Sequence, residues 1–465
     1  MRASSILAVS VTVALGCSDA THELPDAPTP AAAAPVGLHA SSSLSGAGAC
    51  PAFHCAPEAS GAMSLALESK AHALHWQNAT AGSMSGQGCS GDGAILACLF
   101  SNDASGSGTL KVFDPLGKTE RWASGQTGSY AISSNAATGQ VPFILANGHL
   151  LASDDRVVAR YDGSGKVVGT MPLSGSRSSK SFGVVGLSGS RAFVSQQKGT
   201  LTSFDVDTLG SAGSLQLTSP SGAQVTLSSP ASAHGDRGYL VAQGTGRGLP
   251  PGYLIAVDMS SNTPRKVWTF SFQGAAGASA VVVPAAVTGR ARPIVLVHRP
   301  APPGATTRDD HLAIVEDRGD SYEVLRSIPL AAPMDVSPVV DAVNGAFYLH
   351  LRREHLLRAF DFAGADKGVF DVRALAGSAP EFSDLVLNGH VVGTFSATQQ
   401  TVLLSASGAA GQFVMGLDPV ANALRWITRT GAADRYTAAW TIQARAGGNC
   451  PIFVGALSGI NVLCP

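Results

Sequence analysis

Residues 337–361 read SPVVDAVNGAFYLHLRREHLLRAFD. Val339-Val340 is a short apolar strand. Asn344-Gly345 is a two-residue hairpin signal, because the tight turn that matches strand twist needs positive φ at its central positions. Ala346 to Leu351 forms a second strand and Leu356 to Phe360 a third. Asp361 follows, and a carboxylate there accepts backbone N–H bonds from the turn it opens.

The same ending recurs along the chain. An apolar residue followed at once by an acid closes LALE at Glu68, KVFD at Asp114, ARYD at Asp162, TSFD at Asp205, IAVD at Asp258, AIVE at Glu316, RAFD at Asp361 and MGLD at Asp418. The spacings are 46, 48, 43, 53, 58, 45 and 57 residues. Trp76, Trp122 and Trp426 each lie eight residues after an acid, and Trp268 lies ten after Asp258. A fourth strand carries the Trp. Helical periodicity is absent. Four-stranded units of about fifty residues repeated radially describe an all-β fold, the β-propeller. A β-solenoid or stacked sandwiches are the alternatives.

The ends suggest how the ring closes. Ile452 to Leu463 makes one more hairpin, IFVGA-LSG-INVL, with no acid-and-Trp strand after it. Ser64 to Trp76, SLALESKAHALHW, has that strand pair without the hairpin. The two complete one another, so the expectation is eight blades with one built from both termini. Such closure removes free sheet edges.

The chain has 465 residues, with Lys+Arg 31 against Asp+Glu 32 and 45% hydrophobic residues. That apolar content excludes wholesale disorder. The balanced charge lacks the basic footprint of a nucleic-acid binder. The N-terminus, MRASSILAVSVTVALGC, pairs Arg2 with a short apolar core at Ile6–Leu15 and reads as a secretion signal over residues 1–17. Ala14-Leu15-Gly16-Cys17 resembles a bacterial lipobox, which makes Cys17 the lipidated residue, although lipoboxes favour Leu where Ala14 stands. A plain signal peptide cut near Ala20 is the alternative. Residues 18–61 are rich in Pro, Ala, Ser and Gly and read as a tether. The propeller is expected over residues 62–465.

There are seven cysteines. Without Cys17 an even set remains, Cys50, Cys55, Cys89, Cys98, Cys450 and Cys464, as suits an oxidising compartment. Local pairing gives Cys50–Cys55, Cys89–Cys98 and Cys450–Cys464. Six cysteines allow about fifteen connectivities, and spacing alone does not choose among them.

The run SPVV, then G-x-[FY]-[LV], then L-x-A-[FV]-D and a Trp resembles the quinoprotein-type (PQQ-like) propeller repeat. The resemblance covers about residues 62–464 and is strongest at 108–122, 229–268, 337–361 and 413–426. It implies the propeller fold and leaves function open, because repeats of this kind serve many purposes. Family members that are PQQ-dependent dehydrogenases carry adjacent cysteines beside the quinone. No two cysteines here are adjacent, so the resemblance implies no PQQ. Cofactor-free members include the propeller lipoprotein of the outer-membrane barrel-assembly machinery, and the lipobox, tether and blade count look like that arrangement.

Few motifs point to chemistry. Gly117-Lys118-Thr119 ends like a P-loop, but Val112 stands where its first Gly belongs, so a blade turn is the reading. No HExxH and no GxSxG occurs. Arg308-Asp309-Asp310-His311 lies in a long insertion, where two carboxylates and an imidazole suit a divalent ion or acid–base work. Arg352-Arg353-Glu354-His355 crosses between strands and suits a carboxylate or phosphate. A solvated hairpin tip and a charged turn are the plainer readings, and no metal is assigned. Ser101 to Gly106 is oxygen-rich without EF-hand spacing. The expectation is a non-enzymatic, lipid-anchored envelope propeller, monomeric, that scaffolds envelope proteins. The alternatives are a glycan- or ligand-binding or processing propeller using the central mouth and, behind it, a PQQ-dependent dehydrogenase.

Overall fold

The computed structural model describes residues 62–63, 73–78, 89–100, 109–114, 118–126, 130–132, 141–174, 179–245, 250–274, 278–301, 309–334, 336–396, 398–431, 440–442, 452–456 and 459–464. The leader, Cys17, the tether, Cys50, Cys55, Cys450, Glu68 and Arg308 lie outside them.

The described strands form antiparallel, mostly four-stranded blades of a β-propeller. Blade 1 comprises Cys89–Gly91, Leu96–Phe100, Thr109–Phe113 and Glu120–Ala123. Blade 2 comprises Phe143–Ile144, Leu150–Ser153, Val157–Tyr161 and Val167–Pro172. Blade 3 comprises Ser181–Gly186, Arg191–Gln196, Thr200–Asp205 and Ser211–Gln216. In blade 4 the first strand is split, Val225–Leu227 and Ser232–His234, before Arg237–Gly244, Pro251–Asp258 and Arg265–Gln273. Blade 5 comprises Val281–Val283, Ile294–Arg299, Asp310–Asp317 and Tyr322–Leu330. Blade 6 comprises Val339–Asp341, Ala346–His350, Leu356–Asp361 and Asp366–Asp371. Blade 7 comprises Val386–Phe395, Gln400–Gly408, Gly411–Asp418 and Ala423–Gly431.

Seven blades, rather than eight, are thus made from consecutive strands. A further sheet is composite: Trp440–Ile442, Ile452–Ala456 and Gly459–Cys464 are completed by Ala73–Asn78 from the other end of the chain. Among the described N-terminal residues, Ala73–Asn78 joins that sheet and Ala62–Met63 lies parallel to the first strand of blade 7, opposite Gly393 and Thr394; the rest of the expected strand pair lies outside the described residues. The first strand of the composite sheet lies beside those of blades 7 and 1.

Alternation along each strand sends side chains to both seams of a blade. In blade 6, Phe347 and Leu349 pack with Val283, Leu296 and Ile314 of blade 5. Their neighbours Ala346 and Tyr348 pack with Val402, Leu404 and Phe413 of blade 7. Both faces are buried, so the inner strands are apolar almost throughout, and each fully buried Leu, Val or Phe contributes about 1.5–3 kcal/mol. The core therefore lies between blades.

The hairpin of residues 337–361 is built differently from its Asn-Gly reading. Asp341 pairs with Ala346, leaving a four-residue turn. Asp341 Oδ1 accepts from the backbone N–H groups of Val343 and Asn344. Gly345 closes the turn at φ 61. Among the described residues, six of the repeat acids take backbone N–H bonds from the turns they open: Asp114, Asp162, Asp205, Asp258, Asp361 and Asp418. Glu316 departs from this. The next residue, Asp317, takes the bond from Gly319 instead. The Trp residues that follow the repeat acids fall on outer strands, with Trp122, Trp268 and Trp426 each opposite the residue two before the acid.

Cys89 and Cys98 are bonded, facing one another across the first two strands of blade 1. Among the described residues no helix is long and apolar enough to cross a membrane.

Candidate functional site

Strand direction gives the propeller two faces. Loops after the second and fourth strands open on one face, and loops after the first and third on the other. Both predicted clusters lie on the former, because each connects a second strand to a third.

The structure splits Asp309-Asp310-His311. Asp310 starts a strand and is 2% exposed. Its Oδ1 accepts from the Ala301 backbone N–H at 3.1 Å and lies 3.3 Å from His298 Nε2. Asp309 stays exposed, and its main-chain oxygen meets His311 Nδ1 at 3.0 Å. Asp309 also lines an open cleft of about 530 Å³ with Arg299, Pro300, Ser271, Phe272 and Gln273, at the seam of blades 4 and 5. In the second cluster Arg352 and Arg353 are exposed, and Arg353 has φ 61. Glu354 pairs with Arg358 at 3.1 Å, and His355 Nε2 lies 3.6 Å from Asp371.

Polar side chains buried near this face hold neighbouring blades together. His298 and His350 are the fifth residues of the second strands of blades 5 and 6. His298 Nε2 lies 3.5 Å from the Met334 backbone N–H, in the chain leading into blade 6. His350 Nε2 lies 3.0 Å from the Gly389 carbonyl on the first strand of blade 7. Ser153 Oγ meets Ser181 Oγ at 2.7 Å between blades 2 and 3, and Ser337 donates to the Ser279 carbonyl at 3.0 Å between blades 5 and 6. A buried polar group costs stability unless it is hydrogen-bonded, and these bonds satisfy it by crossing a seam.

The opposite face holds a second set of groups, which sequence reading missed. Asp317 of blade 5 is 4% exposed. It accepts from Tyr239 OH at 2.7 Å and from Trp268 Nε1 at 3.1 Å, and pairs with Arg237 Nε at 3.2 Å. All three partners belong to blade 4. Burial, then the Asp317 charge, pushes the Tyr239 hydroxyl well above its usual range. The signal was present in the register: Asp317 stands one residue after the repeat acid. The position one after Asp162 in blade 2 is Gly163. There a cavity of about 280 Å³ opens between blades 1 and 2, lined by Arg121, Trp122, His149 and Gly163 among others.

No family model matches the chain, and no curated protein matches it. Solved structures do. A europium-containing methanol dehydrogenase superposes with TM-score 0.56 at 10% identity, over 88% of this chain and 89% of that one. Sqt1 from Saccharomyces cerevisiae gives 0.56 at 9% identity, over 86% and 99%. The computationally designed Ika8 protein gives 0.51 at 12% identity, over 86% and 98%. At such identities the likeness establishes the propeller fold and leaves the chemistry to the residues.

Proposed function

We propose that this chain is a lipid-anchored envelope protein whose propeller scaffolds other proteins without catalysis. In this reading Cys17 carries the lipid, residues 18–61 form the tether, and the composite sheet built from both chain ends closes the ring of quinoprotein-like repeats. The observation that carries it is the use of polar groups buried near one face: Ser153, His298, Ser337 and His350 bond to adjacent blades. Groups engaged in this way make a rigid platform. The sequence has no adjacent cysteines, so the reading includes no PQQ. In-cell crosslinking of the tagged protein followed by mass spectrometry tests it. A stoichiometric envelope partner lost on mutating one face supports the scaffold, and recovery of the protein alone opposes it. Replacing Cys17 with Ser should release the protein into the soluble envelope fraction.

The cleft formed by Arg299, Asp309, Gln273 and Phe272 supports a second reading, a glycan- or small-molecule-binding propeller. An aromatic face with one cation and one carboxylate suits a polar ligand. D309A with R299A would abolish such binding and leave protein crosslinks intact.

A further inference from the structure

Two seams of this propeller share one register and differ in the groups that fill it. Trp268 of blade 4 and Trp122 of blade 1 occupy equivalent places, opposite Ala256 and Val112, each two residues before its repeat acid. Across the seam, Trp268 Nε1 donates to Asp317, which follows the acid of blade 5. Across its own seam, Trp122 faces blade 2, where Gly163 follows the acid. Trp122 is 7% exposed, and its Nε1 has no hydrogen-bond partner among the described residues. A buried indole N–H left unbonded costs stability and calls for an acceptor.

The surroundings differ consistently. By the same register, Arg237 and Tyr239 of blade 4 correspond to Ile95 and Ala97 of blade 1. Arginine, tyrosine and aspartate are thus replaced by isoleucine, alanine and glycine, and the cavity of about 280 Å³ occupies this seam. A Cβ built on Gly163 would meet nothing within 4 Å. The rim supplies positive and polar groups. Arg121 is exposed there, and His149 Nδ1 is buried with no hydrogen-bond partner among the described residues. The two nearby carboxylates are turned into their own loops. Asp92 accepts from Ala94 and Ile95, and Asp162 from Ser164 and Lys166.

We propose that the seam between blades 1 and 2 binds a carboxylate from outside, which takes the place that Asp317 fills between blades 4 and 5. Trp122 Nε1 donates to one oxygen, as Trp268 does to Asp317. Arg121 and His149 face the ligand from the rim. The carboxylate belongs either to a small organic acid or to an acidic side chain of a protein, and the cavity admits one such group. This site is independent of the scaffold reading, which survives its failure.

The test follows the indole N–H resonances of the full chain labelled with ¹⁵N-tryptophan, Trp122 being assigned by its loss in W122F. Sodium acetate and a capped, amidated glutamate peptide are titrated separately against sodium chloride at equal ionic strength. Saturable movement of the Trp122 resonance with either carboxylate, absent with chloride, is expected. G163D supplies the missing group from the chain itself. Its Trp122 resonance should start at a shifted position, with affinity for the added carboxylate at least tenfold weaker. R121Q should weaken binding at least threefold with the starting resonance unmoved. A peptide binding tenfold more tightly than acetate assigns the ligand to a protein, and equal affinities assign it to a small acid. A resonance unmoved by both probes, or moving equally in folded G163D, overturns the proposal.

Discussion

Trp268 donates its indole N–H to Asp317 across the seam of blades 4 and 5, and Asp317 also holds Tyr239 and Arg237 of the same neighbouring blade. One carboxylate therefore ties three side chains of one blade to the next. Removing it leaves the buried Tyr239 and Trp268 donors without their acceptor and takes the counter-charge from the half-buried Arg237, which keeps its bond to the Gly319 carbonyl. D317A should destabilise the protein by about 2–4 kcal/mol, since each buried donor left unbonded costs about 1–3 kcal/mol. D317N keeps some hydrogen bonds and should lose less. Urea midpoints at constant slope check this.

The tyrosines predict how the fold responds to base. Tyr130, Tyr161, Tyr239 and Tyr348 are all raised, with burial the largest cause in each and Asp154, Asp317 or Asp341 adding to it. A raised phenol keeps its proton in the folded state while the unfolded chain ionises near about pH 10. Its stabilising contribution is complete below that pH and is lost as pH rises above it, by up to about 1.4 kcal/mol per pH unit for each of the buried Tyr161, Tyr239 and Tyr348 and by less for the half-buried Tyr130. Absorbance at the phenolate band should show these four ionising only together with unfolding. Y348F, which leaves no phenol to titrate there, should flatten the loss.

Acid acts through the turns. Asp258 is lowered, first by the Ser260 backbone N–H and then by the Ser260 side chain and Arg265. A lowered carboxyl contributes stability above its unfolded value of about 3.9, which is lost as pH falls through the folded value. D258N should therefore reduce the slope of the acid unfolding curve below about pH 4, measured by far-ultraviolet circular dichroism.

The Cys89–Cys98 bond closes a short loop over buried residues, with Cys98 fully buried. C89A/C98A should cost about 2–3 kcal/mol by loop-closure entropy. The denaturation midpoint should fall, and the wild-type protein in reductant should approach the variant.

Gly165 sits at φ +85, where an added Cβ would lie 2.6 Å from Trp122. G165A should destabilise by about 1–3 kcal/mol, because strain and overpacking act together. The change should appear selectively at the Trp122 indole resonance.

Closure by the two chain ends predicts a truncation effect. Ala73–Asn78 covers the edge of Gly459–Cys464. A chain beginning at residue 79 exposes that edge, and an open edge pairs with other molecules. Size-exclusion chromatography should show association of the truncated chain where the longer one elutes as a single species.

The period of the repeat acids was legible in the sequence because six of the described turns use the same carboxylate at the same place. The paired strands, the Trp on the outer strand and the Cys89–Cys98 bond were legible for a related reason: all are local, spanning a few residues either side of a turn. The four-residue turn at Asp341 was not, because Asn344-Gly345 promises a tighter one and the carboxylate's bonds to Val343 and Asn344 decide otherwise. The Arg308–His311 insertion drew notice for its composition. Strand alternation then put Asp310 inside against His298 and left Asp309 and His311 at the surface.

The sequence by itself determined that this chain is a ring of similar β units, since a recurring turn chemistry and two-faced apolar strands have few other solutions. Only the tertiary structure decided which units touch. Asp317 and Gly163 occupy the same place in their repeats and look equally ordinary in the chain. One fills a seam and the other leaves it open, because the partners that make the difference, Arg237 and Tyr239 or Ile95 and Ala97, come from the preceding blade. Side chains meet across space, and no spacing along the chain records the depth of the cavity between them.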